Sequence, residues 1–287
     1  MLFRSLDTIF DMASVTKVVA TTTAVMALVE DGKIRLVDPV ASFIPEFGKY
    51  GKDRVTVRHL LTHMSGLRPD LDLGDPWIGH DEAIRLASEE VLTQAPNTRF
   101  VYSDINFFLL AEIVQRVSKM LFEQFVQQRI FKPLGMTDTG FLPPATKRAR
   151  IAPTEPCAQP GGACTDADRV MLRGVVHDPT ARRMGGVAGH AGLFSTADDM
   201  AKFCRMLLGG GTLATRGSRV LSPLTVARMT APSTPGNEAN IRGLGWDLDS
   251  SYSSNRGELL PLGSFGHTGF TGTSVWVDPA TKTFVVI

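Results

Sequence analysis

The chain has 287 residues, of which 43% are hydrophobic and 21% charged, and its formal net charge is +1. This composition is typical of a globular protein, and the length allows one large domain or two intergrown ones. Because 30 basic residues nearly balance 29 acidic ones, the protein has no overall field that would attract nucleic acid or an anionic membrane. We therefore expect no nucleic-acid partner.

Apolar residues at helical spacing predict a largely helical first half. Residues 14–30 form one mostly apolar run that ends at Asp31-Gly32, which predicts a helix beginning at Ser14. Similar patterns predict helices over residues 55–65, 81–92, 105–117 and 122–130. Residues 152–165 are rich in proline and glycine and predict a loop.

The last third of the chain adds strand signals. Ser195-Thr196 predicts the N-terminal cap of a helix that begins near Ala197. Residues 273–278 and 283–287 have a β-like pattern, and the turn between them predicts a hairpin. We therefore expect an α/β (α+β) fold with an antiparallel sheet flanked by helices. Residues 1–45 and 190–287 would form a discontinuous sheet domain, and residues 46–189 a mainly helical domain.

The cysteines and the chain ends give weaker information. Cys157, Cys164 and Cys204 are an odd set, for which free thiols are a better interpretation than a disulfide. Without a CxxC or Cys/His cluster, we expect no metal and no cofactor. Residues 15–29 are the nearest approach to a membrane helix of roughly 18 apolar residues, and Lys17 interrupts them. Both ends look abrupt, so we expect a core truncated at both ends and leave the compartment open.

Ser14 and Lys17 form a serine–lysine pair at the start of the first helix. Three residues are close to one helical turn, so the hydroxyl and the ammonium would share a face. A serine beside a lysine that loses its proton on burial is a nucleophile–base pair that needs no metal. The alternative is a serine that only caps the helix. Against this alternative, Lys17 lies within an apolar run, where a solvated lysine is not expected.

Tyr102-Ser103-Asp104 is the second element. A phenol has a pKa near 10 and acts as a base only where cations depress that pKa. Lys17 would do so if it lay nearby, and the Ser14 proton could then pass to Tyr102. A packed core tyrosine followed by a helix cap explains the same residues without any chemistry.

The glycine-rich segment 266–272 is the third element. Closely spaced glycines allow a strand edge to approach a ligand, and backbone N–H groups there would stabilise an oxyanion. A glycine-rich turn without a function is an equally good interpretation. Among the histidines, His59 and His63 lack the glutamate of a zinc-protease motif, and His80, His177 and His190 have no obvious partners, which favours structural roles.

Together the three elements resemble the serine β-lactamase and penicillin-binding-protein superfamily, whose signature combines S-x-x-K with S-D-N and K-T-G elements. Tyrosine in the second element is similar to class C β-lactamases and most similar to family VIII carboxylesterases. Segments resembling the same superfamily extend over essentially the whole chain, at residues 59–67, 131–136, 192–197 and 273–279. The resemblance implies a β-lactamase/transpeptidase-like fold.

The resemblance also implies roles for individual residues. Ser14 would be the nucleophile that forms an acyl-enzyme. Lys17 and Tyr102 would be a coupled base pair, and the sequence leaves open which of them takes the proton. The backbone N–H groups of Ser14 and Phe270 would form the oxyanion hole.

The remaining implied roles concern substrate binding. The strand edge of the site would be lined by His267, Thr268 and Gly269. Penicillin-recognising members usually have Asn where this chain has Asp104, and Lys where it has His267. Both differences disfavour anionic β-lactams and peptides, because a carboxylate replaces an amide and a mostly neutral imidazole replaces a fixed charge. Phe270 and Trp246 would line an apolar acyl pocket.

The sequence therefore predicts a carboxylesterase that cleaves small esters through an acyl-serine intermediate. The alternatives are a class C-like β-lactamase or D-alanyl-peptide hydrolase on the same scaffold, and a penicillin-binding-like sensor or scaffold without turnover. A small-molecule ester is the expected partner, and the oligomeric state stays open.

Overall fold

A computed structural model describes residues 5–155, 171–253 and 256–287. Most of the predicted loop 152–165 lies outside the described residues, and so do Cys157 and Cys164. Cys204 is a buried free cysteine.

Nine α-helices occur in these ranges. They are α1 (Thr23–Glu30), α2 (Val57–Leu61), α3 (His80–Glu89), α4 (Asp104–Ser118), α5 (Phe122–Val126), α6 (Lys132–Leu134), α7 (Pro179–Arg183), α8 (Ala197–Leu208) and α9 (Pro223–Thr230). The helices that the sequence predicts are present, with shifted ends. The Thr196 side chain caps α8 by accepting the Asp199 N–H, as the sequence predicts.

The strands form three antiparallel sheets. The strands are β1 (Ile9–Asp11), β2 (Gly140–Phe141), β3 (Leu193–Thr196), β4 (Thr212–Leu213), β5 (Ser218–Arg219), β6 (Ile241–Arg242), β7 (Asp247–Asp249), β8 (Phe265–Thr268), β9 (Ser274–Asp278) and β10 (Thr283–Val286). The largest sheet has the order β10-β9-β8-β7-β6, a second has β1-β3-β2, and β4 pairs with β5. The predicted hairpin is β9 and β10, with Thr283 opposite Asp278.

The first long helical segment is not a regular α-helix. Ala13–Val15 is a 3₁₀ turn, Lys17–Thr22 is π-helical, and α1 follows. Ala13–Glu30 is the one described helix long and apolar enough to cross a membrane, and 83% of it is buried within the fold. This segment reaches 18 residues, longer than the sequence estimate, and its burial is that of a core helix.

The hydrophobic core joins this segment to both the helices and the sheet. α4 has ten consecutive buried residues, from Ile105 to Val114, and packs against α1, α2, α3 and α5. On the sheet side, Phe265, Val275 and Val277 belong to the same core. The mixed α/β architecture with antiparallel sheets is therefore confirmed. The division into residues 1–45 with 190–287 and residues 46–189 stays a prediction.

Candidate active site

Three chain segments meet at Ser14. β1 leads directly into the 3₁₀ turn that carries Ser14, and Tyr102 lies just before α4. The turn after β8 approaches from the sheet, where a Cβ on Gly269 would lie 2.7 Å from the Met12 carbonyl oxygen. Only glycine fits at this distance. The glycine-rich segment therefore lies against the backbone that precedes Ser14, whereas the predicted approach to a ligand stays a prediction.

Lys17 is the centre of the hydrogen-bond network at Ser14. Its side chain is fully buried, and Nζ donates to Ser14 Oγ at 2.9 Å and to the His190 carbonyl oxygen at 3.0 Å. Nζ also lies 2.6 Å from Asp104 Oδ1 in an ion pair. The Asp104 side chain is 21% exposed, so solvent reaches the outer side of this pair.

The charge on Lys17 differs from the sequence prediction. Burial lowers the pKa of Lys17, but the Asp104 carboxylate and Tyr102 outweigh burial and raise the pKa above its usual range. A lysine that loses its proton on burial was therefore the wrong expectation, because the carboxylate opposite Nζ stabilises the charged form. As an ammonium, Lys17 donates to Ser14 and has no lone pair with which to accept its proton.

Asp104 has a role that the sequence analysis did not assign to it. It is the first residue of α4, and its carboxylate is turned towards Lys17. The charge of Asp104 is thus used within the protein, as the counterion of Lys17.

Tyr102 is half-buried between aromatic rings. Its ring stacks on His63 at 4.4 Å and on Tyr252 at 4.9 Å between centroids, and Lys17 Nζ lies 5.0 Å from its centroid. Burial raises the pKa of Tyr102, and Lys17 partly opposes this effect. The Arg242 guanidinium lies 5.9 Å from the same ring. Two cations therefore face the phenol.

His267 is a buried, neutral imidazole. Its Nδ1 donates to the Thr268 carbonyl oxygen at 2.7 Å, which leaves the lone pair on Nε2. Burial, followed by the charges of Arg242 and Lys17, holds the pKa of His267 well below its usual range. The next residue, Thr268, is half-buried at the end of β8. His267 thus carries no charge where the resemblance places a lysine.

The two residues predicted to line an acyl pocket lie in different environments. Phe270 is 87% exposed, and its ring stacks on His177 at 5.4 Å. The Phe270 ring is one wall of a cavity of about 390 Å³ that also touches Asp11. Trp246, in contrast, is fully buried and packs edge-on against Phe265 in the core. The assignment of Trp246 to the pocket was therefore wrong.

The histidines without obvious partners in the sequence pair with carboxylates in the structure. The nitrogen–oxygen distances are 2.9 Å for His80–Glu112, 3.1 Å for His177–Glu155 and 2.9 Å for His190–Asp178. These carboxylates come from distant or irregular parts of the chain, so periodicity gives no sign of them. Within residues 5–155, 171–253 and 256–287, no group of three or more His, Cys, Asp or Glu side chains has the arrangement of a metal site.

Several residues at the site were missed by the sequence reasoning. His63 accepts the Ser103 N–H at Nδ1, which orients the segment that carries Tyr102. Arg242 and Tyr252 both come from the region around β6 and β7, where the strands are two and three residues long. Asp11 lies three residues before Ser14, and this short separation could have indicated that its carboxylate belongs to the site.

Comparison with known proteins identifies the family of the chain. The Beta-lactamase family model matches residues 4–287, so the chain belongs to that family, whose members are serine hydrolases. Curated relatives from Salmonella gallinarum and Salmonella schwarzengrund, each named "Putative D-alanyl-D-alanine carboxypeptidase", are 32% identical over 98% of this chain and 69% of their own length.

Solved structures agree on the fold. A β-lactamase from Mycobacterium bovis is 27% identical with a TM-score of 0.63, over 97% of this chain and 78% of its own. A penicillin-binding protein homologue from Caulobacter crescentus is 25% identical with a TM-score of 0.75, over 98% of this chain and 78% of its own. A family VIII carboxylesterase matches with a TM-score of 0.73 and 23% identity, over 98% of this chain and 77% of its own. At that identity the last match supports the fold alone.

Proposed function

We propose that the protein is a carboxylesterase that cleaves small, uncharged esters through an acyl-serine intermediate. The observation that carries this proposal is the charge distribution around Ser14. The Lys17 ammonium is neutralised by Asp104 at 2.6 Å, and His267 is a buried, neutral imidazole. The site therefore offers no fixed cation of its own to a substrate carboxylate, whereas an uncharged ester needs none.

Arg242 does not change this balance. Its side chain is 1% exposed, and Nη1 lies 3.6 Å from Asp247 Oδ1, while Nη2 donates to the Gly245 carbonyl oxygen at 3.1 Å. A guanidinium with this little exposure is not open to a substrate carboxylate, and its Cζ lies 5.7 Å and 5.9 Å from the ring centroids of Phe100 and Tyr102. The partners of the Arg242 charge include the rings of Phe100 and Tyr102.

We assign the role of base to Tyr102. Lys17 already holds its proton, so the group that accepts the Ser14 proton is the Tyr102 phenolate, present as a minor form and stabilised by the Lys17 ammonium. As that proton moves to the phenolate oxygen, Ser14 Oγ forms a bond to the ester carbonyl carbon. The negative charge passes to the carbonyl oxygen, which the N–H groups of Ser14 and Phe270 would stabilise.

The second half of the reaction returns the protons. The tetrahedral intermediate collapses, the bond to the alcohol oxygen breaks, and Tyr102 gives its proton to the departing alkoxide. A water molecule then attacks the acyl-serine as Tyr102 takes one of its protons, and Ser14 leaves with that proton as the carboxylic acid is released. No cofactor takes part in this scheme.

Hydrolysis of D-alanyl peptides is the second candidate. The names of the Salmonella relatives favour it. The buried, uncharged His267 disfavours it, because a peptide that ends in a free carboxylate would find no unpaired positive charge at the site. A class C-like β-lactamase is disfavoured for the same reason.

The test compares three substrates on the purified protein. We expect kcat/KM for a short-chain aryl ester to exceed the values for a chromogenic cephalosporin and a D-alanyl-D-alanine peptide, and Ser14→Ala to abolish turnover. A higher value for the peptide or the cephalosporin would contradict the esterase proposal. A fluorophosphonate probe should label the wild-type protein and not Ser14→Ala. If the probe labels Ser14 but no substrate turns over, the protein is a sensor or scaffold. If the folded wild-type protein is not labelled, Ser14 is not the nucleophile.

A further inference from the structure

Asp11 is a buried carboxylate beside the site that the proposed reaction does not use. Its side chain is 2% exposed, yet no cation forms an ion pair with it among the residues that the structure describes. Oδ1 accepts the Ala13 N–H at 2.9 Å, and Oδ2 accepts the His177 N–H at 2.7 Å. A buried carboxylate is costly unless it is hydrogen-bonded, so these two backbone donors are what stabilise it.

The first of these bonds holds an unusual backbone conformation. Ala13 has a φ of +43°, in the left-handed region that residues with a Cβ avoid, at a cost of about 1–3 kcal/mol. Such a conformation persists only where the surroundings enforce it. Here the Asp11 carboxylate binds the N–H of Ala13 itself, and the next residue is Ser14. Asp11 therefore stabilises the backbone immediately before Ser14.

The same residue is connected to the turn that carries Phe270. The Asp11 carbonyl oxygen accepts the Thr271 hydroxyl at 2.7 Å, and the neighbouring Met12 carbonyl oxygen accepts the Thr273 hydroxyl at 3.2 Å. The second carboxylate bond reaches His177, on whose ring Phe270 stacks. Both segments that would supply oxyanion-hole donors are thus attached to one residue.

We propose that Asp11 is a positioning residue that sets the separation and direction of the Ser14 and Phe270 N–H groups. This inference rests on the proposed acyl-serine function, in which those two groups stabilise the tetrahedral intermediate. Its effect is exerted in the transition state, because the oxyanion exists only there. Loss of Asp11 should therefore lower kcat much more than it raises KM.

The role requires a carboxylate and not merely a polar side chain. Both partners of Asp11 are N–H donors, and an ionised carboxylate offers an acceptor to each of them. Asparagine has one acceptor oxygen, and its NH₂ group would face the second donor. Asp11→Asn keeps the size and shape of the side chain but removes one of the two bonds.

The kinetic experiment compares Asp11→Asn with a matched control on the substrate that the wild-type protein turns over fastest. The control is Asp199→Asn, because Asp199 is also a buried aspartate that accepts a backbone N–H, from Asp138 at 2.8 Å. It lies on α8, where Lys202 is its ion-pair partner. We expect kcat to fall about 100-fold in Asp11→Asn, with KM changed less than about threefold. Asp199→Asn should lower Tm but leave kcat unchanged. Equal kcat in both variants, or an effect confined to KM, would overturn the proposal.

A milder variant serves if Asp11→Asn does not fold. Thr271→Val removes the hydroxyl that donates to the Asp11 carbonyl oxygen, on a half-buried side chain where valine fits. Loss of this bond should lower kcat about tenfold with little change in Tm. Unchanged kcat in Thr271→Val would show that the connection between Asp11 and the Phe270 turn has no effect on catalysis.

Hydrogen exchange gives an answer that does not need turnover. In Asp11→Asn or Thr271→Val, amide exchange should accelerate in residues 12–15 and 269–273, and the Asp199→Asn control should leave both segments unchanged. Unchanged exchange in both segments overturns the role of Asp11 even if the protein is an active esterase. Conversely, a wild-type protein without turnover or fluorophosphonate labelling defeats the proposed function, while accelerated exchange still supports Asp11 as the residue that holds the two segments together.

Discussion

Two of the lysines that the structure describes are completely buried, and their surroundings differ in one respect. Lys17 and Lys52 are both 0% exposed, and each Nζ lies 5.0 Å from a tyrosine centroid, that of Tyr102 or Tyr50. Each Nζ also donates to backbone carbonyl oxygens, of His190 for Lys17 and of Ser88 for Lys52. Only Lys17 has a carboxylate as its direct partner.

The carboxylate reverses the direction of the pKa shift. Burial lowers the pKa of Lys52, and the nearby acidic side chains offset this effect only in part. Those side chains are already paired, Glu89 with Lys49 and Glu90 with Arg68. At Lys17 burial also acts to lower the pKa, but Asp104 more than compensates. Burial alone therefore does not make a lysine into a base, and the nearest anion decides its charge.

Replacement of each lysine by methionine tests whether only one of them is functional. Lys17→Met should reduce kcat/KM on the preferred ester by more than about 10⁴-fold, the scale found when a member of a catalytic unit is removed. The cation that stabilises the Tyr102 phenolate and orients Ser14 Oγ is lost. Steady-state kinetics measure this effect, with circular dichroism as the check on folding. Residual activity within tenfold of wild type in a folded Lys17→Met protein would contradict the assignment.

Tyr102→Phe asks whether the charge of Lys17 acts through the phenol. The substitution keeps the stacking on His63 and Tyr252 and removes only the hydroxyl. We expect kcat to fall about 1,000-fold, the order of magnitude for loss of a general base, with Tm nearly unchanged. If Tyr102→Phe retained most of its activity, proton transfer would have to go through Lys17, and the comparison with Lys52 would lose its meaning.

Asp104→Asn makes the surroundings of Lys17 resemble those of Lys52. Asp104 raises the pKa of both Lys17 and Tyr102, so its removal should lower both. In the wild-type protein the active phenolate becomes more abundant as pH rises towards the raised pKa of Tyr102, so kcat/KM should increase from neutral to alkaline pH. In Asp104→Asn this increase should occur at lower pH. A pH–rate profile measures the shift, and a displacement to higher pH would show that Asp104 acts in another way.

Lys52→Met should have the smallest effect and should change stability only. The Lys52 ammonium donates to the carbonyl oxygens of Ser88 and Glu90. Without Lys52, both carbonyl oxygens lose this donor. We expect the free energy of unfolding to fall by about 1–3 kcal/mol, measured by urea denaturation, with kcat and KM unchanged. A loss of activity as large as that of Lys17→Met would show that the loss of a buried lysine, and not its place beside Ser14, accounts for the effect.

Local patterns in the sequence were sufficient for the parts of the site that depend on short-range geometry. The spacing of Ser14 and Lys17 predicts the observed hydrogen bond of 2.9 Å, because one helical turn brings the two side chains together. The closely spaced glycines predict a close approach, and Gly269 makes one, although to the backbone before Ser14 and not to a ligand. The α/β class follows from long apolar helices and a strong hairpin signal.

The remaining features depend on contacts between distant residues. Asp104 is 87 positions from Lys17, and only folding shows that its carboxylate faces Nζ instead of a substrate. The resemblance placed Trp246 in an acyl pocket, but folding packs this side chain against Phe265 in the core. The short strands β6 and β7 have too few residues to show an alternating pattern, so Arg242 beside Tyr102 was not foreseen.

The π-helical turn Lys17–Thr22 makes the site sensitive to the number of residues in this turn. A π turn contains more residues than an α turn, and such turns are common at functional sites. All six of its side chains are buried, so conservative replacements within the turn keep the packing. Removal of a single residue would instead convert it to an α turn and rotate Ser14 and Lys17 relative to α1. Apart from Lys17, the identity of these residues can therefore vary more easily than their number.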